Sequence, residues 1–453
     1  METNNTFGTH AKAVLSLGLP LIGSHIAQMA IGVTDTVMLG WYSVEALAAL
    51  TLASSYFFVI FIFCSGFAGA VMPLVAEAEG KGNTADVRRV TRMGIWISLL
   101  AATLVMPLFI EAEFILGSLG QESGIAFLGE QYLIIAGFGI FPALMVMTLK
   151  SYLSALERTG ILLWATIGSA VLNVFLNYLL IFGNWGAPEL GVRGAAIASV
   201  ATQVLSLLIL IWYAQRVFPE HALFQRFWRA DWGAFFAVFR LGAPISFTML
   251  AEAGLFAAAA LMVGWVGTIE LAAHGIAVQL AAITFMVHLG LGSVATIRAG
   301  RAYGRQDEEG LRMGGKVVTM MSFGFSVVTT IAFVTFPEVF IGAFLDPGEE
   351  ARTEIVQVGV TLLVLAALFQ LADGTQAQAL GLLRGVQDTR IPMIYAALSY
   401  WGIGVPVAYI LSQPLGYGAP GVWIGLVVGL SCAALFLNAR FWRRKNWIPV
   451  FQQ

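Results

Sequence analysis

Twelve stretches of about twenty residues follow one another along this chain almost free of charge, at 14–39, 46–74, 93–112, 127–149, 161–182, 193–215, 238–263, 271–297, 316–337, 356–381, 391–412 and 421–439. A helix needs about 20 apolar residues to cross roughly 30 Å of hydrocarbon. Met twelve times over, that requirement predicts an all-α integral membrane protein of twelve transmembrane helices. The runs are continuous, whereas the strands of a membrane barrel alternate apolar and polar residues, so a barrel is excluded. Composition agrees, because 58% of the 453 residues are hydrophobic and 11% are charged. A soluble average is about 25% charged, and so few charges cannot coat soluble domains of this length. The opening METNNTFGTH carries no basic segment of a cleavable signal, so it is expected to stay attached. Cys64 and Cys432 lie in apolar runs, which argues against a disulfide framework or a cysteine metal site.

The basic residues orient the spans. Of the 24 Lys and Arg, 22 fall in the N-terminal segment, after even-numbered spans, or in the tail that ends with Arg443, Arg444 and Lys445. The opposite loops hold Arg193 and Arg352 beside the acids Glu111, Glu113, Glu122, Glu349 and Glu350. The positive-inside rule places both termini in the cytoplasm, and a multi-pass protein of the cell inner membrane is expected.

The chain also repeats itself. At an offset of 224 residues, Leu17-Gly18-Leu19-Pro20 meets Leu241-Gly242-Ala243-Pro244, Gly40-Trp41 meets Gly264-Trp265, and Gly80-Lys81 meets Gly304-Arg305. Further on, Leu156-Glu157-Arg158-Thr159 echoes Val386-Gln387-Asp388-Thr389. Six spans per half, an even number, make the halves parallel, in a 6+6 arrangement about an axis along the membrane normal. Such halves are an architecture of alternating-access transporters. The expected organisation is an N-terminal six-helix lobe over 1–217, an interfacial linker over 218–239, a C-terminal six-helix lobe over 240–439 and a basic tail over 440–453. In the linker, Arg226, Trp228, Arg229 and Trp232 suit a segment lying at the membrane surface.

Three acids sit deep within spans: Asp35 in the first, Glu252 in the seventh and Asp373 in the tenth. An ionised carboxylate costs about 2.5–3.5 kcal/mol at the centre of an inserted helix, so such residues point to function. Every Lys and Arg is expected near a membrane face, which leaves protons, metal cations or a cationic substrate as partners for the acids. Asn173 and Asn177, four apart in the fifth span, face one way, and Thr202 in the sixth adds a hydroxyl. With Asp35 they offer the hard oxygen ligands of a small cation. In the second half Gln279, Gln370, Gln376 and Gln378 are candidates to accompany Glu252 and Asp373, with helix packing as the alternative role. The repeat aligns Glu252 with Gln28 and Asp35 with Ala259, so the acids are not relics of duplication. Pro20 and Pro244 occupy equivalent places in the first and seventh spans, and each removes a backbone hydrogen bond where a helix can bend.

The segment Asp35-Thr36-Val37-Met38-Leu39-Gly40, the run Leu153 to Thr159 and its echo Leu383 to Thr389 resemble the multidrug and toxic compound extrusion (MATE) family, in its NorM-like branch. The resemblance covers essentially the whole chain. It implies a secondary antiporter that exports organic, mostly cationic, compounds in exchange for inward Na+ or H+. It further implies a cation or proton site at Asp35, Asn173, Asn177 and Thr202, and a second at Glu252 and Asp373, with Na+ placed at either. Archaeal relatives carry Asp where this chain has Asn177. Where the branch commonly has Asn in the eighth span, this chain has Gln279. No cofactor beyond the coupling ion is expected; the expected partners are organic cations and membrane lipids, with no nucleic acid, and the protein is expected to be a monomer.

The alternative within the same superfamily is a lipid-linked oligosaccharide flippase, which would want a basic cavity. A major-facilitator carrier would need its arginine-rich loop after the second span, where this chain reads Glu77-Ala78-Glu79-Gly80-Lys81-Gly82. No GxxxxGK[ST] phosphate loop is present, and the five histidines do not cluster, so neither ATP hydrolysis nor enzymatic catalysis is expected.

Overall fold

The computed structural model describes residues 7–121, 123–346, 351–444 and 447–448. Glu122, Glu349, Glu350 and Lys445, used above to read orientation, lie outside the described residues. Within the described chain the regular structure is helical throughout, and twelve helical segments are long and apolar enough to cross a membrane. In the first half these are α1 (Phe7–Tyr42), α2 (Val44–Gly69) continued by α3 (Val71–Gly80), α4 (Thr84–Ile110), a short α5 (Ala112–Ser118), then α6 (Ser123–Ala155), α7 (Gly160–Leu180) and α8 (Val192–Val217). In the second half they are α9 (Trp232–Gly264), α10 (Thr268–Gly304), α11 (Glu308–Thr335), a short α12 (Pro337–Gly342), α13 (Arg352–Gly385), the pair α14 (Arg390–Ala397) and α15 (Val405–Ser412), and α16 (Gly418–Arg443).

The internal repeat is visible in backbone conformation as well as in residue identity. Gly82 and Gln306, 224 positions apart, both turn left-handed at φ of 69° and 59°, and so do Glu157 and Gln387 at 60° and 61°. Each turn ends a helix by the same device, in which the next residue's N–H reaches back five positions to a carbonyl. The bonds run from Asn83 to Ala78, Arg158 to Leu153 and Asp307 to Ala302 at 2.9 Å, and from Asp388 to Leu383 at 2.8 Å. Asn83 and Asp307 then cap the following helices, accepting from the N–H of Asp86 at 3.1 Å and of Gly310 at 2.7 Å. The paired turns therefore repeat because their local hydrogen-bond chemistry repeats.

The chain forms two compact units whose boundaries fall inside helices. One unit comprises Leu19–Ser246; the other comprises the chain from Phe247 onward together with its start up to Gly18. The divisions lie within two residues of Pro20 and Pro244, so α1 and α9 each contribute one part to each unit. The linker over 218–239 has no separate standing either, since α9 begins at Trp232 and belongs with Leu19–Ser246 as far as Ser246. In that unit Phe239 stacks on Phe67 at 5.6 Å, and a Cβ on Gly66 would lie 2.4 Å from the Ser246 nitrogen. In the other unit, Gly18 meets the side chains of Leu291 and Val294, and Arg298 bonds His10 at 2.8 Å.

The eleventh span is broken by a π-helical turn at Leu398–Gly404, followed by Pro406 in the first turn of α15. Proline has no N–H to donate, and the wider turn accommodates that missing bond. Beyond it α15 packs backbone to backbone on α16, because lipid supplies no hydrophobic drive and small residues permit close contact. A Cβ on Gly425 would lie 2.4 Å from the Cα, N and Cβ of Ala408. Gly425→Ala is expected to lower stability by about 1–3 kcal/mol, the usual cost of overpacking, read as a lower melting temperature in detergent. Gly168→Ala, at an exposed position with open space around it, should leave melting unchanged. Equal melting of both variants would remove the close contact as a stabilising feature.

Candidate functional site

Within the unit Leu19–Ser246, Asp35 is 7% exposed and is held by three donors from two helices. From α7, the side-chain amide of Asn177 donates to Asp35 Oδ1 at 2.6 Å and that of Asn173 at 3.0 Å. From α8, Ser199 Oγ donates to Oδ2 at 2.9 Å. Both asparagines are wholly buried, and Asn177 also donates to Asn173 Oδ1 at 3.2 Å. The four-residue spacing thus brings both amides onto the carboxylate. Thr202 does not join them. Its hydroxyl turns onto its own helix, donating to the carbonyls of Ala198 at 2.5 Å and Ser199 at 3.0 Å, as Ser and Thr hydroxyls do where no water competes. Ser199 takes the place assigned to Thr202, and Tyr132, 7% exposed, lies beside Asp35 and Ser199. The Asn177 Oδ1 is buried with no hydrogen-bond partner. Rotating either amide by 180° exchanges N for O with almost no change of shape, which would present carbonyl oxygens to a cation beside the carboxylate.

In the other unit Asp373 on α13 is 3% exposed, and Glu252 on α9 is half-buried. Gln376, one turn along α13 from Asp373, donates to Glu252 Oε1 at 3.4 Å. Asp373 Oδ1 and Gln376 Oε1 are buried without a partner. Most buried polar atoms find a partner, so acceptor oxygens left over beside two acids mark a place suited to something positive. The remaining glutamines do other work. Gln370 donates to the Ala281 carbonyl at 3.1 Å, and Gln378 donates to the His288 carbonyl at 3.2 Å and to Ser322 Oγ at 3.1 Å, so both tie α13 to its neighbours. Gln279 is half-buried on α10 and forms no hydrogen bond to either acid. Among the described residues no three of His, Cys, Asp and Glu gather as metal ligands.

Two features of this region are invisible to span counting. The π-helical turn places Tyr400, wholly buried, within electrostatic reach of Glu252 and Asp373, and Trp401 beside it donates to the carbonyl of Ala251 at 3.1 Å. Single π-turns in helices recur at functional sites. Arg384, half-buried on α13 and within electrostatic reach of Glu252, overturns the expectation that the acids have no basic neighbour. Lys150 on α6 is likewise half-buried, with Nζ donating to Thr166 Oγ1 at 3.2 Å. Both helices run on past the apolar windows, α6 to Ala155 and α13 to Gly385, and a long side chain near the end of a helix reaches back into the bundle.

Twelve spans in a repeated architecture, with carboxylates buried among amides and hydroxyls, define a membrane transporter rather than an enzyme. Comparison with known proteins gives the particular family. The MatE family model matches residues 20–179 and 244–410, and the chain belongs to the MatE family. The probable multidrug resistance protein NorM of Rhizobium meliloti is 47% identical over 444 residues, spanning 98% of this chain and 95% of its own. The protein of the same name from Agrobacterium fabrum is 46% identical over 435 residues, spanning 96% of this chain and 94% of its own. The crystal structure of the eukaryotic MATE transporter AtDTX14 matches the fold with a TM-score of 0.86 at 21% identity, over 97% of each chain.

Proposed function

We propose that this protein is a secondary active multidrug efflux antiporter of the inner membrane, with both termini cytoplasmic, exporting organic, mostly cationic, compounds in exchange for inward Na+ or H+. The observation that carries the reading is that buried acids lie beside partnerless buried oxygens, Asp35 beside Asn177 Oδ1 and Asp373, with its own free Oδ1, one turn from Gln376 Oε1, which an entering cation or proton would satisfy. The names of the NorM relatives support the drug class. Asp35, Asn173, Asn177 and Ser199 form one coupling site, and Asp373, Glu252, Gln376 and Tyr400 the other. Pro20 and Pro244, within two residues of the boundaries between the compact units, are where α1 and α9 bend during alternating access. The protein works as a monomer.

Expression in an efflux-deficient bacterium should raise resistance to cationic dyes several-fold. Purified protein in liposomes should move dye when a Na+ or a proton gradient is imposed separately. Unchanged resistance together with rescue of a lipid-linked sugar defect would overturn the reading in favour of a flippase.

A further inference from the structure

The segment between α8 and α9 builds a basic pocket against α4 that the transport reading does not use. Trp96 Nε1 donates to the Phe227 carbonyl at 3.0 Å, and Arg92 Nη2 donates to that of Gln225 at 2.7 Å. Asp231 caps α9, accepting from the Ala234 N–H at 3.1 Å, and is clasped by the Arg89 guanidinium through both of its oxygens. That clasp holds the Asp231 carboxyl below its ordinary range, so it stays ionised. These ties border an open cavity of about 410 Å³ lined by Arg88, Arg89, Arg92, Arg229 and Trp232 with Ala230 and Asp231.

The charges in this pocket do not balance. Arg89 pairs with both Asp231 and Asp86, the latter at 2.8 Å, while Arg92 is bonded to neutral carbonyls with Asp231 within electrostatic reach. Among the described residues Arg88 and Arg229 form no side-chain hydrogen bond or ion pair. Four guanidiniums thus meet two carboxylates, Asp231 and Asp86, an excess of two positive charges at one concavity, and guanidinium forks match phosphate oxygens in pairs. The surroundings indicate which phosphate. Trp228 and Trp232 are 77% and 61% exposed, as rings at the headgroup level of a bilayer are. Further along the two helices that bound the pocket, Leu100 and Leu104 of α4 and Phe236 and Phe239 of α9 are exposed apolar side chains of a kind suited to acyl chains.

We propose that this pocket is a binding site for the phosphate of an anionic phospholipid on the membrane face that carries the basic loops. A free anion would have no use for the aromatic rim or the apolar faces, whereas basic pockets at membrane depth commonly hold anionic headgroups. The site ties the segment before α9 to α4, so bound lipid should stiffen that junction.

The test is a titration of the purified full-length protein in detergent with phosphatidylglycerol, phosphatidylcholine or inorganic phosphate, read by native mass spectrometry and by the shift in melting temperature. Phosphatidylglycerol should bind at least tenfold more tightly than phosphatidylcholine, and inorganic phosphate should produce no comparable shift. R88Q/R229Q should weaken phosphatidylglycerol binding by about thirtyfold, from the loss of two basic groups near the surface. R216Q, on the exposed last turn of α8 outside the pocket, should bind as wild type does. Equal binding of the two lipids by wild type overturns the proposal without reference to any variant. Undiminished binding by R88Q/R229Q, or a full shift with inorganic phosphate alone, also overturns it.

Discussion

Asp373→Asn is expected to reduce ion-driven dye transport in liposomes at least tenfold while the purified protein melts at or slightly above the wild-type temperature. The amide keeps the shape of the side chain but cannot exchange a proton or neutralise a cation. Asp373 is 3% exposed, one of its oxygens has no partner, and among the described residues no donor bonds it. Removing such a charge relieves a desolvation cost, so the loss of function should come without loss of folding. Glu252→Gln should act in the same direction but less completely, because Glu252 already has Gln376 as a donor and Arg384 within electrostatic reach. An ionised Glu252 is thus partly compensated by the protein itself, whereas an ionised Asp373 is not. Wild-type transport by both variants would remove these acids from the coupling mechanism. A loss confined to the variant that fails to melt cooperatively would assign the effect to folding.

Drug affinity, measured at fixed ionic strength, is expected to fall as Na+ or proton concentration rises, with most of that dependence lost in Asp35→Asn or Asp373→Asn. On the proposed antiport reading, ion and drug cation are drawn by the same buried carboxylates, directly or through a change of conformation. Linkage requires each to weaken the other's binding by the same factor, typically about 5- to 150-fold for couplings of this kind. The two sites should differ in how they respond. Asp35 already accepts three hydrogen bonds, which stabilise its anion without any net positive charge. A cation entering there meets the partnerless Asn177 Oδ1 beside a carboxylate already held by donors, whereas at Asp373 the carboxylate itself offers a free oxygen. Affinity indifferent to both ions in the wild-type protein would rule out antiport by competition.

How far residue order reaches is clearest in the first unit. Asp35 can be singled out because a lone acid in an apolar helix is costly, and Asn173 and Asn177 because positions four apart share a helix face; the structure brings all three together. Ser199 escapes such reasoning, since serine is common in membrane helices and nothing local separates it from Thr202 three residues on. The choice between them depends on the rotation of α8 against α1, which is a packing outcome. In the second unit, four glutamines carry the same local signal, yet Gln376 alone bonds an acid, while Gln370 and Gln378 bind helix backbones and Gln279 reaches neither acid.

The span count, the duplication and the buried acids are legible from residue order because each expresses a cost paid locally: apolar length against bilayer thickness, a left-handed turn closing a helix, a charge taken out of water. The partners of those acids are not legible in this way. Tyr400 arrives through a π-turn ahead of Pro406, Arg384 reaches back from beyond the apolar window, and the units divide inside α1 and α9 rather than in the linker. Each of these depends on how helices distant in sequence pack against one another, and packing energy belongs to pairs of surfaces that no single stretch of chain contains.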